Sequence, residues 1–261
     1  MKRTLIPSLP KDTPKEILLL TEGADIYDSS CSPEAKVYFI DGGEGYYLKR
    51  ALTGSLRREA EMNAYFHKKN MGPEVLSYVT EECDWLLCAR VRGEDCTHED
   101  YLSDPMRLSA LLGEKLRELH ELDASDCPVK DRTAEYLETA ERNYRSGNYD
   151  KSAFPDSFGY RSAEEAYSVL SEGRAALRSD TLIHGDYCLP NVMLDGWRFS
   201  SFIDLGGGGV ADRHIDLFWG SWTLWFNLGT NAYRDRFFDA YGRDKIDLSM
   251  LRIVAAAEVF G

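Results

Sequence analysis

From Ile17 to Val91 the chain alternates short β-rich apolar runs with polar turns. ILLLTEG (17–23), KVYFID (36–41) and GYYLKRA (45–51) read as three strands, the last two joined by the glycine-rich turn DGGEG (41–45). Between Ser55 and Gly72, Leu56, Met62, Tyr65 and Phe66 recur near helical spacing, which predicts a helix. VLSYVT and DWLLCARV, joined by EECD, return as two more strands. A five-stranded antiparallel sheet with one inserted helix is the simplest arrangement of these elements.

Beyond Gly93 the period changes. Leu108, Leu111, Leu112, Leu116 and Leu119 make one apolar face of a helix over 104–121, opened by the start signal Asp104-Pro105. Helices are also expected at 134–145 and 163–178, with a loop at 146–162 between them. Short β runs follow at 181–184, 191–195 and 199–204, and the region from Asp216 to Phe260 is helical, with tryptophans at 219, 222 and 225. The pattern implies an α+β chain of two lobes: a small antiparallel β N-lobe with one helix (1–92) and a larger, mainly helical C-lobe (93–261).

Composition narrows the function classes. A chain of 261 residues that is 43% hydrophobic and 29% charged is that of an ordinary globular protein. No run approaches the ~20 apolar residues that span a bilayer, and MKRTLIPSLP lacks the apolar core of a secretory signal, so a cytoplasmic location is expected. The six cysteines form no C-x-x-C pair, and neither zinc nor disulfides are expected. The net charge of −13 argues against nucleic-acid and membrane partners, both of which need a basic surface. Through Arg92 there are 13 basic and 14 acidic side chains, and after it 18 basic and 30 acidic, so the acid lies in the C-lobe, where it either solvates the surface or attracts a cationic ligand.

The segment HGDYCLPNVMLDGWRFSSFIDLGGGG (184–209) carries the chemistry. Asp186, Asn191 and Asp204 fall at the ends of successive short β runs, where a rigid scaffold holds side chains that project into a cleft. Magnesium prefers hard oxygen ligands and commonly takes only one or two from protein, leaving phosphate oxygens and water to complete its shell. Asn191 and Asp204 meet that demand, and Asp186 remains to orient an attacking hydroxyl and accept its proton. The five-residue step from Asp186 to Asn191 is that of the kinase catalytic loop, and Asp204-Leu205-Gly206 stands where kinases carry Asp-Phe-Gly.

H-G-D-x-x-x-x-N, then I-D-L-G, then V-A-D-R-x-x-D-L (210–217) resembles the aminoglycoside 3'-phosphotransferases, small-molecule kinases of protein-kinase-like fold. The resemblance implies Mg2+ and an ATP or GTP phosphoryl donor. It implies Lys49 on the third strand as the ligand of the α- and β-phosphates, and Glu59, rather than Glu61, as its helix partner. It also places Ser32 in a phosphate-covering loop, the Arg90–Val91 backbone at the base edge, and Tyr47 against the ring. His184 is expected to be structural. For the acceptor it implies a small, cationic, hydroxylated molecule, held by Glu258 with Asp150 and Asp156 of the 146–162 loop.

The chain departs from the family where Phe226 and Asn227 stand near an acidic pair, where Ala257 precedes Glu258, and where Gly207 replaces an arginine. Leu189 stands where some members carry Asp and others Leu. The alternative acceptors are choline, an amino alcohol or a sugar, and a pseudokinase is the alternative of a different class.

Overall fold

The computed structural model describes residues 3–31, 35–150 and 158–261. They form two compact units: Met1–Glu94 with Met193–Gly207, and Asp95–Val192 with Gly208–Gly261. Among the described residues no helix is long and apolar enough to cross a membrane.

The first unit is built on an antiparallel sheet of strands β1 (Thr4–Ile6), β2 (Asp25–Asp28), β3 (Ala35–Asp41), β4 (Tyr46–Leu52), β5 (Val75–Thr80) and β6 (Cys83–Ala89), in the order β1-β2-β3-β4-β6-β5. Tyr38, Ile40, Leu48, Trp85 and Leu87 close one face as a core. On the other face, Leu86 and Cys88 pack against Leu56 and Ala60 of helix α2 (Arg57–Lys68) and the turn before it. Leu56 N donates to Asp84 Oδ2 at 2.9 Å, which pins the start of α2 to the sheet.

Two readings of this region are corrected. The run at 17–23 is not a strand; Lys15–Leu20 is a helix, α1, and the strand is Asp25–Asp28. A short apolar run fits either state by pattern. Pro14, just ahead of α1, has the fixed φ that starts a helix, and Ile17 is buried while Leu19 is 75% exposed, the one-sided burial of a surface helix. The sheet also has six strands rather than five, because Thr4–Ile6 pairs with Asp25–Asp28 as an edge.

The sequence places all of 93–261 in the second lobe, whereas Met193–Gly207 groups with the first unit. This segment carries most of the hairpin of Val192–Asp195 and Arg198–Phe202. Phe202 N donates to Met71 O at 2.8 Å, and Leu205 reaches Gly72 beside the end of α2. Gly93, at φ +91, has no room for a side chain, since an added Cβ would lie 1.9 Å from Leu194 O.

The second unit is helical: α3 (Glu99–Leu102), α4 (Pro105–His120), α5 (Arg132–Ser146), α6 (Ala163–Gly173), α7 (His214–Leu228), α8 (Arg234–Tyr241) and α9 (Leu248–Glu258). Asp104, the start signal read from the sequence, accepts a backbone N–H at the start of α4, as Asp131, Ser162 and Asp247 do at their own helix starts, and Gly147 and Gly229 take the left-handed conformation at helix ends. Leu170, Ile215, Phe218, Val254 and Phe260 lie in its core. A two-stranded ladder, Thr181–Ile183 with Gly209–Ala211, leads into the loop that begins at His184.

Candidate active site

In the first unit the alternation of β4 buries Leu48 in the core and turns Lys49 to the opposite face, toward α2. Lys49 Nζ lies 2.6 Å from Glu59 Oε1, and it also pairs with Asp204, 155 residues further along the chain. Glu61 instead faces Arg57 at 3.4 Å, near the surface. Burial disfavours the Lys49 ammonium, but Asp204 and Glu59 outweigh it and hold the group above its ordinary range, so it stays charged.

Asp204 sits beyond the hairpin at φ +59, a left-handed conformation that Asp tolerates better than most residues. The short turn Leu205–Gly207 holds it there, with Leu205 buried and Gly206 3.6 Å from Glu59 Cβ when given a Cβ of its own. Such a backbone persists where its surroundings over-determine it, which is common at functional sites. The Asp204 side chain remains 43% exposed, so it can take a further ligand beside Lys49.

Tyr47 lies two residues before Lys49 on the same face of β4. Its hydroxyl accepts from Arg3 Nη2 at 2.8 Å, and its ring is 5.2 Å from that of Phe39, so the phenol is already engaged by the protein. The chain leaves the sheet at Arg90, whose N–H donates to Gly45 O at 3.0 Å, and Val91 follows. Ser32 lies outside the described residues, as does Asp156.

In the second unit Asp186 stands in a tightly braced loop. Asn191 Nδ2 donates to Asp186 Oδ2 at 2.7 Å and to its carbonyl at 3.0 Å, and Cys188 N donates to the same carbonyl at 2.8 Å. Gly185 supplies the φ of +85 that the turn requires. His184 is buried, and its Nδ1 accepts the Asp186 N–H at 3.3 Å, the structural role expected of it.

The loop's anchor is a residue to which the sequence reading gave no role. Asp216 is fully buried and accepts the backbone N–H groups of His184 and Gly185 at 2.7 and 2.8 Å. His120 Nε2 approaches Asp216 at 3.2 Å, while its Nδ1 faces Tyr241 Oη at 2.8 Å. Asp212 likewise accepts from Arg178 N and His214 N. Both aspartates belong to V-A-D-R-x-x-D-L, so the motif was visible; that a buried carboxylate there would seek the N–H groups of the His184 loop could have been inferred.

Glu258 closes α9. Its Oε1 accepts from Tyr136 Oη at 2.9 Å and from Trp219 Nε1 at 3.0 Å. Burial, aided by the negative charge of Asp186, pushes its carboxyl up to about 7 despite those two donors. Asp150 is exposed and lies just before residues outside the description. Thus Lys49, Glu59 and Asp204 meet in the first unit, and Asp186, Asn191 and Glu258 belong to the second.

A lysine bound by two carboxylates in one unit and a braced Asp–Asn loop in the other are the parts of a phosphotransferase of kinase-like α+β fold. Residues 32–252 match the model of the phosphotransferase enzyme family, and the chain belongs to that family. It is 53% identical over 239 residues, 91% of each chain, to a probable aminoglycoside 3'-phosphotransferase of Lactococcus lactis subsp. lactis (strain IL1403). It is 32% identical over 208 residues, 79% of each chain, to an aminoglycoside 3'-phosphotransferase of Niallia circulans. Its fold is shared with the crystal structure of an aminoglycoside-3'-phosphotransferase of type VIII, with a TM-score of 0.78 at 24% identity over 95% of this chain and 97% of that one. An aminoglycoside phosphotransferase from Streptomyces rimosus, solved with ADP and streptomycin, superposes with a TM-score of 0.75 at 21% identity over 94% and 97% of the two chains.

Proposed function

We propose that this enzyme transfers the γ-phosphoryl group of ATP or GTP to a hydroxyl of an aminoglycoside, at the 3' position as in its relatives' names. The observation that carries the reading is the ammonium of Lys49 held between Glu59 and Asp204, a fixed cation for a polyphosphate on the strand where a kinase needs one. The 53% identity to the Lactococcus relative supports the acceptor, as does the excess of acidic over basic residues after Arg92. A nucleoside triphosphate donor supports a cytoplasmic setting.

The donor set suits Mg2+. Asp204 offers a part-exposed carboxylate, and Asn191 donates through Nδ2 to Asp186, which leaves the acceptor end of its amide as the oxygen ligand proposed for the ion. Among the described residues no cluster of three or more His, Cys, Asp or Glu side chains could hold an ion alone, which suits a metal completed by phosphate and water. When bound, the ion would neutralise phosphate charge. Lys49 binds the α- and β-phosphates, Glu59 keeps it in place, and Asp186 orients the acceptor hydroxyl and takes its proton at a carboxylate oxygen. Tyr47, Arg90, Val91 and Ser32 are assigned to the nucleotide; Glu258, Asp150 and Asp156 are assigned to ammonium groups of the acceptor. The 1–92 region serves the nucleotide and 93–261 catalysis and the acceptor.

Turnover of Mg-ATP and Mg-GTP with kanamycin, choline and a neutral sugar tests the proposal. Kanamycin should be phosphorylated with the highest kcat/KM, and absence of kanamycin turnover would overturn the acceptor.

Three further outcomes are expected. Lys49→Ala and Glu59→Ala should each lower kcat/KM, and the double variant should lose less than the product of the two, because both remove one ion pair; full multiplicativity would break the pairing. Glu258 must be ionised to hold an ammonium. With a carboxyl raised to about 7, it is largely protonated at pH 6 and ionised at pH 8, so kanamycin KM should fall about tenfold over that interval. In Glu258→Gln the part of that pH dependence due to this group should vanish; an identical profile in the variant would remove Glu258 from the acceptor site. The same raised carboxyl makes folding stability fall as pH rises from about 4.5 to 7, since the unfolded chain loses that proton first.

A further inference from the structure

On α7, Trp219, Trp222 and Phe226 recur at i, i+3 and i+7 and therefore share one helix face. The indoles of Trp219 and Trp222 meet edge to face at 5.3 Å, and the Phe226 ring stacks on Trp222 at 4.8 Å with 14° between planes. The two tryptophans rest against the core of the second unit, whereas Phe226 is 63% exposed. The aromatic row thus runs from the interior to the surface and ends in an uncovered ring.

Two observations fix what lies beside it. At the inner end, Trp219 Nε1 donates to Glu258 Oε1 at 3.0 Å, so the row starts at a carboxylate. Along its flank, Thr223 Oγ1 accepts the Leu189 N–H of the Asp186 loop at 3.1 Å, and Asn227 Nδ2 donates to Thr223 O at 2.8 Å. Thr223 stands four residues after Trp219 and three before Phe226, the spacings that make side chains neighbours on a helix, so the aromatic face borders the loop that carries Asp186.

A pyranose chair has an apolar face of axial C–H groups, and an amino sugar adds an ammonium at its edge. Aromatic rings bind the first by dispersion and burial and the second through the negative face of the ring, while a carboxylate at one end fixes the ammonium. We infer that the Trp219–Trp222–Phe226 face of α7 is a stacking ledge for an amino-sugar ring of the acceptor, making the enzyme selective for cyclic amino sugars over acyclic amino alcohols. This rests on the function proposed above and names the part of the second unit that reads the ring.

Phe226→Ala tests it, with Phe226→Tyr as the ring-preserving variant and Leu248→Ala, also at an exposed apolar position, as the control. The Ala variant should raise kanamycin KM by roughly five- to tenfold, leaving kcat and nucleotide KM unchanged, with Phe226→Tyr and Leu248→Ala close to wild type. Kanamycin titration followed by tryptophan fluorescence should give dissociation constants in the same ratio. An unchanged KM in Phe226→Ala, or a loss confined to choline, overturns the ledge while wild-type kanamycin turnover leaves the proposed function standing. Wild-type protein that neither phosphorylates nor binds kanamycin overturns both.

Discussion

Asp186→Asn is expected to lower kcat by ~10²–10⁴-fold, the usual contribution of a positioned general base, with little change in nucleotide KM. The substitution is nearly isosteric. The amide oxygen of the variant can still accept from Asn191 Nδ2, and the backbone bonds from Asn191 and Cys188 to the carbonyl of residue 186 do not involve the side chain. The loop should therefore keep its shape, braced from below by Asp216 through the N–H groups of His184 and Gly185. What disappears is a negative charge able to accept the acceptor's proton. A second readout follows from Glu258, whose carboxyl is held up first by burial and in part by that same charge. In Asp186→Asn the pH at which acceptor affinity rises should shift downward, measured by kanamycin titration. Wild-type turnover in this variant would remove Asp186 from the chemistry.

Local pattern disclosed most of what local pattern determines. Asp104-Pro105 and the leucine spacing after it marked α4, and the five-residue step from Asp186 to Asn191 marked a loop in which the two side chains do bond. The pairing of Lys49 with Glu59 was legible through the family resemblance, and the two residues lie on consecutive elements, β4 and α2, with little chain between them. Where two states fit one pattern, the pattern failed: ILLL is a helix because Pro14 precedes it and only Ile17 needs burial. Long-range assembly was the other gap. That Met193–Gly207 groups with the first unit depends on Phe202 bonding to Met71 and Leu205 reaching Gly72, contacts that no window of sequence contains. The grip of Tyr136 and Trp219 on Glu258 is invisible for the same reason.

The long-range placement of Asp204 underlies the second large effect. Asp204→Ala should raise nucleotide KM about tenfold or more, lower kcat by roughly 10²-fold, and move half-activation to higher Mg2+, since one carboxylate serves both Lys49 and the proposed ion. Two consequences of the substitution must be separated. Alanine is less tolerant than aspartate of φ +59, at a cost of about 1 kcal/mol, which would appear as a lowered Tm. Glycine accepts that backbone without strain, so Asp204→Gly should recover the strain component of the lost Tm while remaining as inactive as the Ala variant. Asp204→Asn keeps the shape and the tolerance for left-handed backbone but loses the charge that pairs with Lys49. It should fold normally and still require more Mg2+. If Asp204→Asn works at the wild-type rate with an unchanged Mg2+ dependence, Asp204 is a structural partner of Lys49 alone and the metal ligand lies elsewhere.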